Sequence, residues 1–353
     1  MSTSILFVSE FILLSDHNMK VLTDSGAIDV RAVWFEDGKV KMIDQRILPH
    51  QFQIVEFTSY LEVAEAIKNM TVRGAPAIGA AAAYGMALAY LQKVNLAEAA
   101  TVLKATRPTA FDLFYAVDKM LEAAAKNEDL LEAAENYAEQ IVDKCRRIGG
   151  YGAELIANDY VIITHCNAGA LATVDVGTAL APMRVARDQG KKIFVYASET
   201  RPRLQGMKLT AWELLNEGIP HKIIADGASG AVMRNGVDMV IVGADRIAAN
   251  GDFANKIGTF DKAVLAHELD IPFYVAAPVS TFDFSIKSGQ EIIIEDRAEE
   301  EVTVVDGVRI APCGCQALNP SFDMSEAKYV TAFITEIGVL TPSEIGRIRE
   351  YYQ

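Results

Sequence analysis

Apolar residues recur along this chain with two different periods, and the change from one to the other falls near residue 150. Between about Ser59 and Gly149 they return every three or four positions with charges between them, notably over 96–105, 110–126 and 130–145, which predicts helices. The alanine-rich run 80–90 is helical in the same reading. Ahead of it, 31–35 and 39–43 flank Asp37-Gly38, and an Asp-Gly pair between alternating apolar residues predicts a hairpin. From Tyr160 onward the apolar positions gather into short β-rich runs at 160–164, 193–196, 223–225, 239–242 and 273–276. Helix-length segments separate these runs, the pattern of a parallel sheet with crossover helices. Ligands of such sheets sit beyond the carboxyl ends of the strands. The residues following each run are therefore where chemistry is expected.

The chain has 353 residues, 51% apolar and 23% charged, which suits a globular protein of two domains, or of one large α/β domain with an attached lobe. The expected division is 1–150, helical with a β extension, and 151–353, carrying the sheet. A net charge of −14 argues against nucleic-acid or anionic-membrane partners, because phosphate backbones need a basic face. A small phosphorylated ligand needs only a local positive pocket. The four cysteines, Cys145, Cys166, Cys313 and Cys315, are too scattered for a disulfide framework or a four-ligand zinc site. No apolar run reaches membrane length, and 1–14 is interrupted by Glu10 without a basic flank or cleavage site. The expectation is a cytoplasmic protein without metal or cofactor.

Three strand ends carry polar, glycine-rich phrases: His165-Cys166-Asn167-Ala168-Gly169, Glu199-Thr200-Arg201-Pro202-Arg203-Leu204-Gln205-Gly206, and Gly243-Ala244-Asp245-Arg246. Three such clusters at one edge point to a shared cleft. Cys166 is either a small buried residue or a thiol activated at the start of a helix entered by 168–172. Asp245 is either a helix cap or partner of Arg246, or a carboxyl in a partly apolar cleft whose raised pKa lets it deliver a proton. Arg73-Gly74-Ala75 opens the alanine-rich helix and leaves backbone N–H groups for an anion, or else forms a tight packing turn. It matches neither the P-loop nor the dinucleotide fingerprint. Lys256 and Arg107 are further candidate phosphate partners, although such residues are usually solvated surface and spacing alone selects neither. His165 reads as a structural hydrogen-bonding residue, and Cys313-Gly314-Cys315 lacks the second pair that metal chemistry needs.

Taken together, Val72-Arg73-Gly74-Ala75-Pro76-Ala77-Ile78-Gly79, the Thr164–Thr173 phrase, the Glu199 and Gly243 phrases, Asn255-Lys256-Ile257-Gly258-Thr259 and Asn319-Pro320-Ser321-Phe322-Asp323 resemble the methylthioribose-1-phosphate isomerases. The likeness runs from about Val33 to Pro342. The wider superfamily includes ribose-1,5-bisphosphate isomerases and regulatory subunits of the exchange factor for translation initiation. The latter are not expected to retain the catalytic cysteine and aspartate, whereas Cys166 and Asp245 stand at the matching positions. The resemblance implies an α/β fold, with a Rossmann-like, mainly parallel sheet after a helical N-terminal domain carrying a small antiparallel β extension. It also implies a homodimer, an aldose–ketose isomerase activity, and substrate contacts from Arg73, Gly74, Ala75, Arg107, Gln205, Asn255 and Lys256. The Asp226-Gly227-Ala228-Ser229-Gly230 stretch departs from the family's wording, as do the first two dozen residues.

Overall fold

Strand Met239–Val242 sets the plan of the centre. Successive side chains of a strand point to opposite faces. Met239 and Ile241 accordingly enter one apolar cluster, and Val240 and Val242 enter another on the far side. Ile162 and Ile163 divide in the same way. A sheet buried on both faces needs continuous rather than alternating apolar runs, and these strands supply them.

The computed structural model describes residues 18–351 apart from Asp24 and Thr109, so the 1–14 stretch lies outside the described residues. Seven strands form the main sheet, in the order Gly338–Leu340, Ala332–Thr335, Phe273–Ala276, Met239–Val242, Tyr160–Thr164, Ile193–Ser198, His221–Ile224. All neighbours are parallel except the edge strand Gly338–Leu340. The first strand in sequence, Tyr160–Thr164, lies in the middle, and the chain winds outward from it in both directions. The order therefore reverses between Tyr160–Thr164 and Met239–Val242, which opens a crevice at their carboxyl ends. Cys166 follows one of these strands and Asp245 the other.

The five expected runs all appear, with 193–196 extended to Ser198 and 223–225 shifted to His221–Ile224. The two strands after residue 330 were not expected. A separate four-stranded sheet, in the order Phe282–Asp283, Arg246–Ala248, Phe253–Lys256, Phe322–Ser325, was also not expected. Its strands are two to four residues long and carry polar side chains. Phe253–Lys256 is nonetheless wholly buried, which delivers Asn255 and Lys256 from a strand rather than a loop.

In the N-terminal part, Ala75–Leu91 is buried on all sides, as a helix apolar around its whole circumference must be. Helices Tyr60–Lys68, Leu96–Ala105, Phe111–Ala125 and Leu130–Ala153 pack round it. The predicted hairpin forms between Val33–Glu36 and Lys39–Ile43, with Glu36 opposite Lys39, and Ile54–Phe57 extends it to three strands. Helix Leu130–Ala153 runs eight residues past the stretch predicted from periodicity and packs on Ala181–Asp188 and Ala332–Thr335. One apolar cluster thus joins the helices to the near face of the sheet.

Candidate active site

All nine residues singled out from the sequence, Cys166, Asp245, Arg73, Gly74, Ala75, Arg107, Gln205, Asn255 and Lys256, line one cavity of about 500 Å³ at the switch in strand order. That volume lies within the usual range for small-molecule sites.

Cys166 is half-buried, with backbone φ of 63°. This left-handed conformation is uncommon for a side-chain-bearing residue and persists where its surroundings hold it. Two threonines hold it here. The Cys166 N–H donates to Thr200 Oγ1 at 2.9 Å, and Thr210 Oγ1 donates to the Cys166 carbonyl at 2.6 Å. The helix expected just after Cys166 is absent. Ala170–Ala172 is a single 3₁₀ turn, because Gly169, Ala170 and Leu171 fold round a buried carboxylate instead of continuing. Helix-dipole activation of the thiol is therefore not available.

Asp245 lies between Met239–Val242 and Arg246–Ala248, where its N–H donates to the Ala254 carbonyl at 2.9 Å. It caps no helix, and Arg246 turns away to pair with Asp283 at 2.7 Å and to stack over Phe111. The Asp245 side chain is open to the cavity, yet protein surrounds that cavity and withholds bulk water. The resulting desolvation raises its pKa against the opposing pull of Lys256, Arg107, Arg73 and Arg297. No hydrogen bond or ion pair reaches its carboxyl among the described residues. Asp112, on helix Phe111–Ala125, faces the same space; burial first, then Asp245, lifts its pKa to about 6.

The cations are held firmly. Lys256 is buried, donates to the Ser321 carbonyl at 2.8 Å and lies over the Phe322 ring at 4.4 Å. Arg297 approaches the same ring at 5.7 Å. Arg73 donates to Oδ1 and to the carbonyl of Asn167 at 3.0 and 2.9 Å. Gly74 caps helix Ala75–Leu91 at φ 91°, and a Cβ there would lie 2.3 Å from the Ala172 carbonyl oxygen. Only glycine lets the helix start approach so closely. With Pro76 at the second helical position, the Ala75 and Ala77 N–H groups stay free of intrahelical bonds, as helix starts require. Gln205 is buried with its Oε1 unpartnered.

His165 is fully packed, with Nε2 2.8 Å from the Ile257 carbonyl, the structural position expected of it. The Asp226 carboxylate accepts from the Thr200 and Arg201 N–H groups, at 2.9 and 2.7 Å, and so shapes the turn that carries Gln205. Cys313 and Cys315 are exposed and lie outside the cavity. Among the described residues no group of three metal-binding side chains gathers. Arg297, Asp112 and Glu213 escaped the sequence reading, since none belongs to a strand-end phrase and only the packed chain brings them to the site.

Residues 71–342 match the model of the initiation factor 2 subunit family. Methylthioribose-1-phosphate isomerase of Acetivibrio thermocellus is 49% identical over 335 residues, covering 89% of this chain and 98% of that one. The crystal structure of 5-methylthioribose 1-phosphate isomerase from Pyrococcus horikoshii superposes with a TM-score of 0.85 at 45% identity, covering 92% of this chain and 96% of that one. A structure titled translation initiation factor eIF-2B, subunit delta, from A. fulgidus gives 0.84 at 44% identity, covering 91% and 100%. The chain belongs to the initiation factor 2 subunit family and, within it, to the methylthioribose-1-phosphate isomerases.

Proposed function

We propose that this protein converts 5-methylthioribose 1-phosphate into 5-methylthioribulose 1-phosphate, with Asp245 and Cys166 as its catalytic residues. One observation carries the assignment of roles. A thiol and an uncommitted carboxyl face one cavity walled by Arg73, Arg107, Lys256 and Arg297, inside a protein of net charge −14.

The chemistry sets the roles. The anomeric oxygen of the substrate carries phosphate, so the ring cannot open as a simple hemiacetal. Breaking the C1–O4 bond requires a proton on O4, and Asp245, whose pKa desolvation raises, supplies it once protonated in the complex. The C2 proton then leaves, giving an enol phosphate, and a proton returns to C1 as the C2 hydroxyl gives up its own. The sum is redox-neutral. Cys166 moves the proton between the carbons. The phosphate dianion rests on Arg73, Lys256 and the open N–H groups after Gly74. Arg107, Gln205 and Asn255 bind the sugar's polar edge. The helical part to residue 150 and the sheet-bearing part from 151 are the two domains that line the cavity, in a cytoplasmic homodimer.

Steady-state kinetics test this. Cys166→Ser and Asp245→Asn each lower kcat by roughly 10²–10⁴-fold, the usual contribution of acid–base groups; near-native turnover in either variant removes that residue from the mechanism. Solvent deuterium at C1 of the product distinguishes proton transfer from a direct hydride shift. A panel with ribose 1,5-bisphosphate and 5-deoxyribose 1-phosphate fixes the C5 substituent. The name of the A. fulgidus structure favours a second reading, a non-catalytic subunit of an exchange factor. Turnover by the isolated chain excludes it, and sedimentation equilibrium decides the dimer.

A further inference from the structure

Glu213 lies on helix Ala211–Asn216, is fully buried and lines no part of the cavity. It is nevertheless one side chain removed from the arginine assigned to the phosphate. Its carboxylate accepts from Asn167 Nδ2 at 2.7 Å, from the Ala170 N–H at 2.7 Å and from the Leu171 N–H at 3.3 Å. The other end of the Asn167 amide, Oδ1, accepts from Arg73. A carboxylate only accepts and a guanidinium only donates, so a single orientation of the amide satisfies both. Asn167 Nδ2 also donates to Thr210 Oγ1 at 3.2 Å, whose own hydrogen goes to the Cys166 carbonyl. One side-chain amide thus ties Arg73 to the backbone of Cys166. Gly169 makes room for the arrangement, since a Cβ there would lie 2.1 Å from a Glu213 oxygen.

We propose that Glu213 is a positioning residue for catalysis, which fixes the Asn167 amide so that its oxygen aims the Arg73 guanidinium at the substrate phosphate. The inference rests on Arg73 being a phosphate ligand. In Glu213→Gln the new N–H confronts a donor, either Asn167 Nδ2 or a backbone N–H. Turning the Asn167 amide to relieve that contact presents Nδ2 to Arg73, donor against donor. Buried donors without acceptors are costly, so the guanidinium leaves its place.

The test measures KM for 5-methylthioribose 1-phosphate, the inhibition constant of inorganic phosphate, kcat and the thermal midpoint. In E213Q, KM and the phosphate constant rise about tenfold or more, as expected for a lost bond to a charged group, and kcat changes less. The double variant E213Q/N167D reverses the polarity. The amide introduced at position 213 donates to the carboxylate introduced at position 167, whose second oxygen again accepts from Arg73. Recovery of phosphate affinity in the double variant is a result that a merely structural role does not give. Should E213Q fail to fold, Asn167→Ala leaves Glu213 its two backbone donors and probes the same link by the same rise in KM. Arg73→Met separates the premises. Native phosphate affinity in R73M overturns the phosphate role of Arg73 and this inference with it. Weakened affinity in R73M beside native affinity in E213Q or N167A, or no recovery in the double variant, overturns the positioning role alone.

Discussion

At the scale of single residues, the cavity's chemistry turns on which carboxyl holds a proton. Desolvation raises Asp245 while four cations pull it down. A bound phosphate dianion offsets those cations, so Asp245 takes up a proton as substrate binds. Calorimetry of ketose 1-phosphate binding in buffers of different ionisation enthalpy should report this uptake, and Asp245→Asn should abolish it. Asp112 adds a second negative neighbour. Its replacement by Asn removes that repulsion, lowers the Asp245 pKa, and moves the alkaline limb of the kcat/KM profile to lower pH. The same substitution acts on stability. With the Asp112 pKa raised from 3.8 to about 6, the native state binds the extra proton between those values, and stability falls as pH climbs through that window. D112N lacks this loss. In denaturant unfolding it should exceed the parent at pH 8 by on the order of 1–3 kcal/mol, with little difference at pH 4.

At the scale of elements, helix Ala75–Leu91 and the turn before it carry both a fold and a site. The helix is buried all round, so its start cannot shift without disturbing the helices that enclose it. Gly74→Ala meets two obstacles, a left-handed φ and the Ala172 backbone. Loss of more than about 2 kcal/mol is expected in denaturant unfolding, with a raised KM in whatever folds. The elements legible in the sequence were those whose cause is local. The Asp37-Gly38 hairpin, the alanine-rich helix and the buried strands Tyr160–Thr164, Met239–Val242 and Phe273–Ala276 each carry their period in their own residues. Phe253–Lys256 and Phe322–Ser325 were not legible, because their polar residues carry no strand period of their own; the first pairs with Arg246–Ala248 and the two pair with each other across the chain. The helix expected after Cys166 failed for the converse reason. Its N–H groups found a better acceptor in Glu213, some forty residues away.

At the scale of the molecule, helix Leu130–Ala153 joins the helical part to the sheet, and one apolar cluster spans both. The two parts should therefore unfold together. Cys145 on that helix reports this directly, being buried with its thiol pushed up to about 12 by desolvation. Cys313 and Cys315 are exposed and should react at once with a thiol reagent. Cys166 should react more slowly, with protection by a ketose 1-phosphate. Cys145 should label only at the rate of global unfolding, its denaturant midpoint coinciding with that of far-ultraviolet circular dichroism. Labelling of Cys145 well before that midpoint would show the helical part opening alone.

What the sequence determined by itself was the set of locally encoded elements, the parallel-sheet plan they imply, and the phrases at three strand ends. Periodicity and turn chemistry act over a few residues, so a linear reading reaches them. Only the tertiary structure decided which of those phrases meet. The order of strands reverses between Tyr160–Thr164 and Met239–Val242, and that reversal brings Cys166 and Asp245 to one crevice. The electric character of the crevice was decided there too. Arg297 and Asp112 arrive from segments far apart in the chain, and burial, a property of the packed whole, raises the pKa values of Asp245 and Asp112.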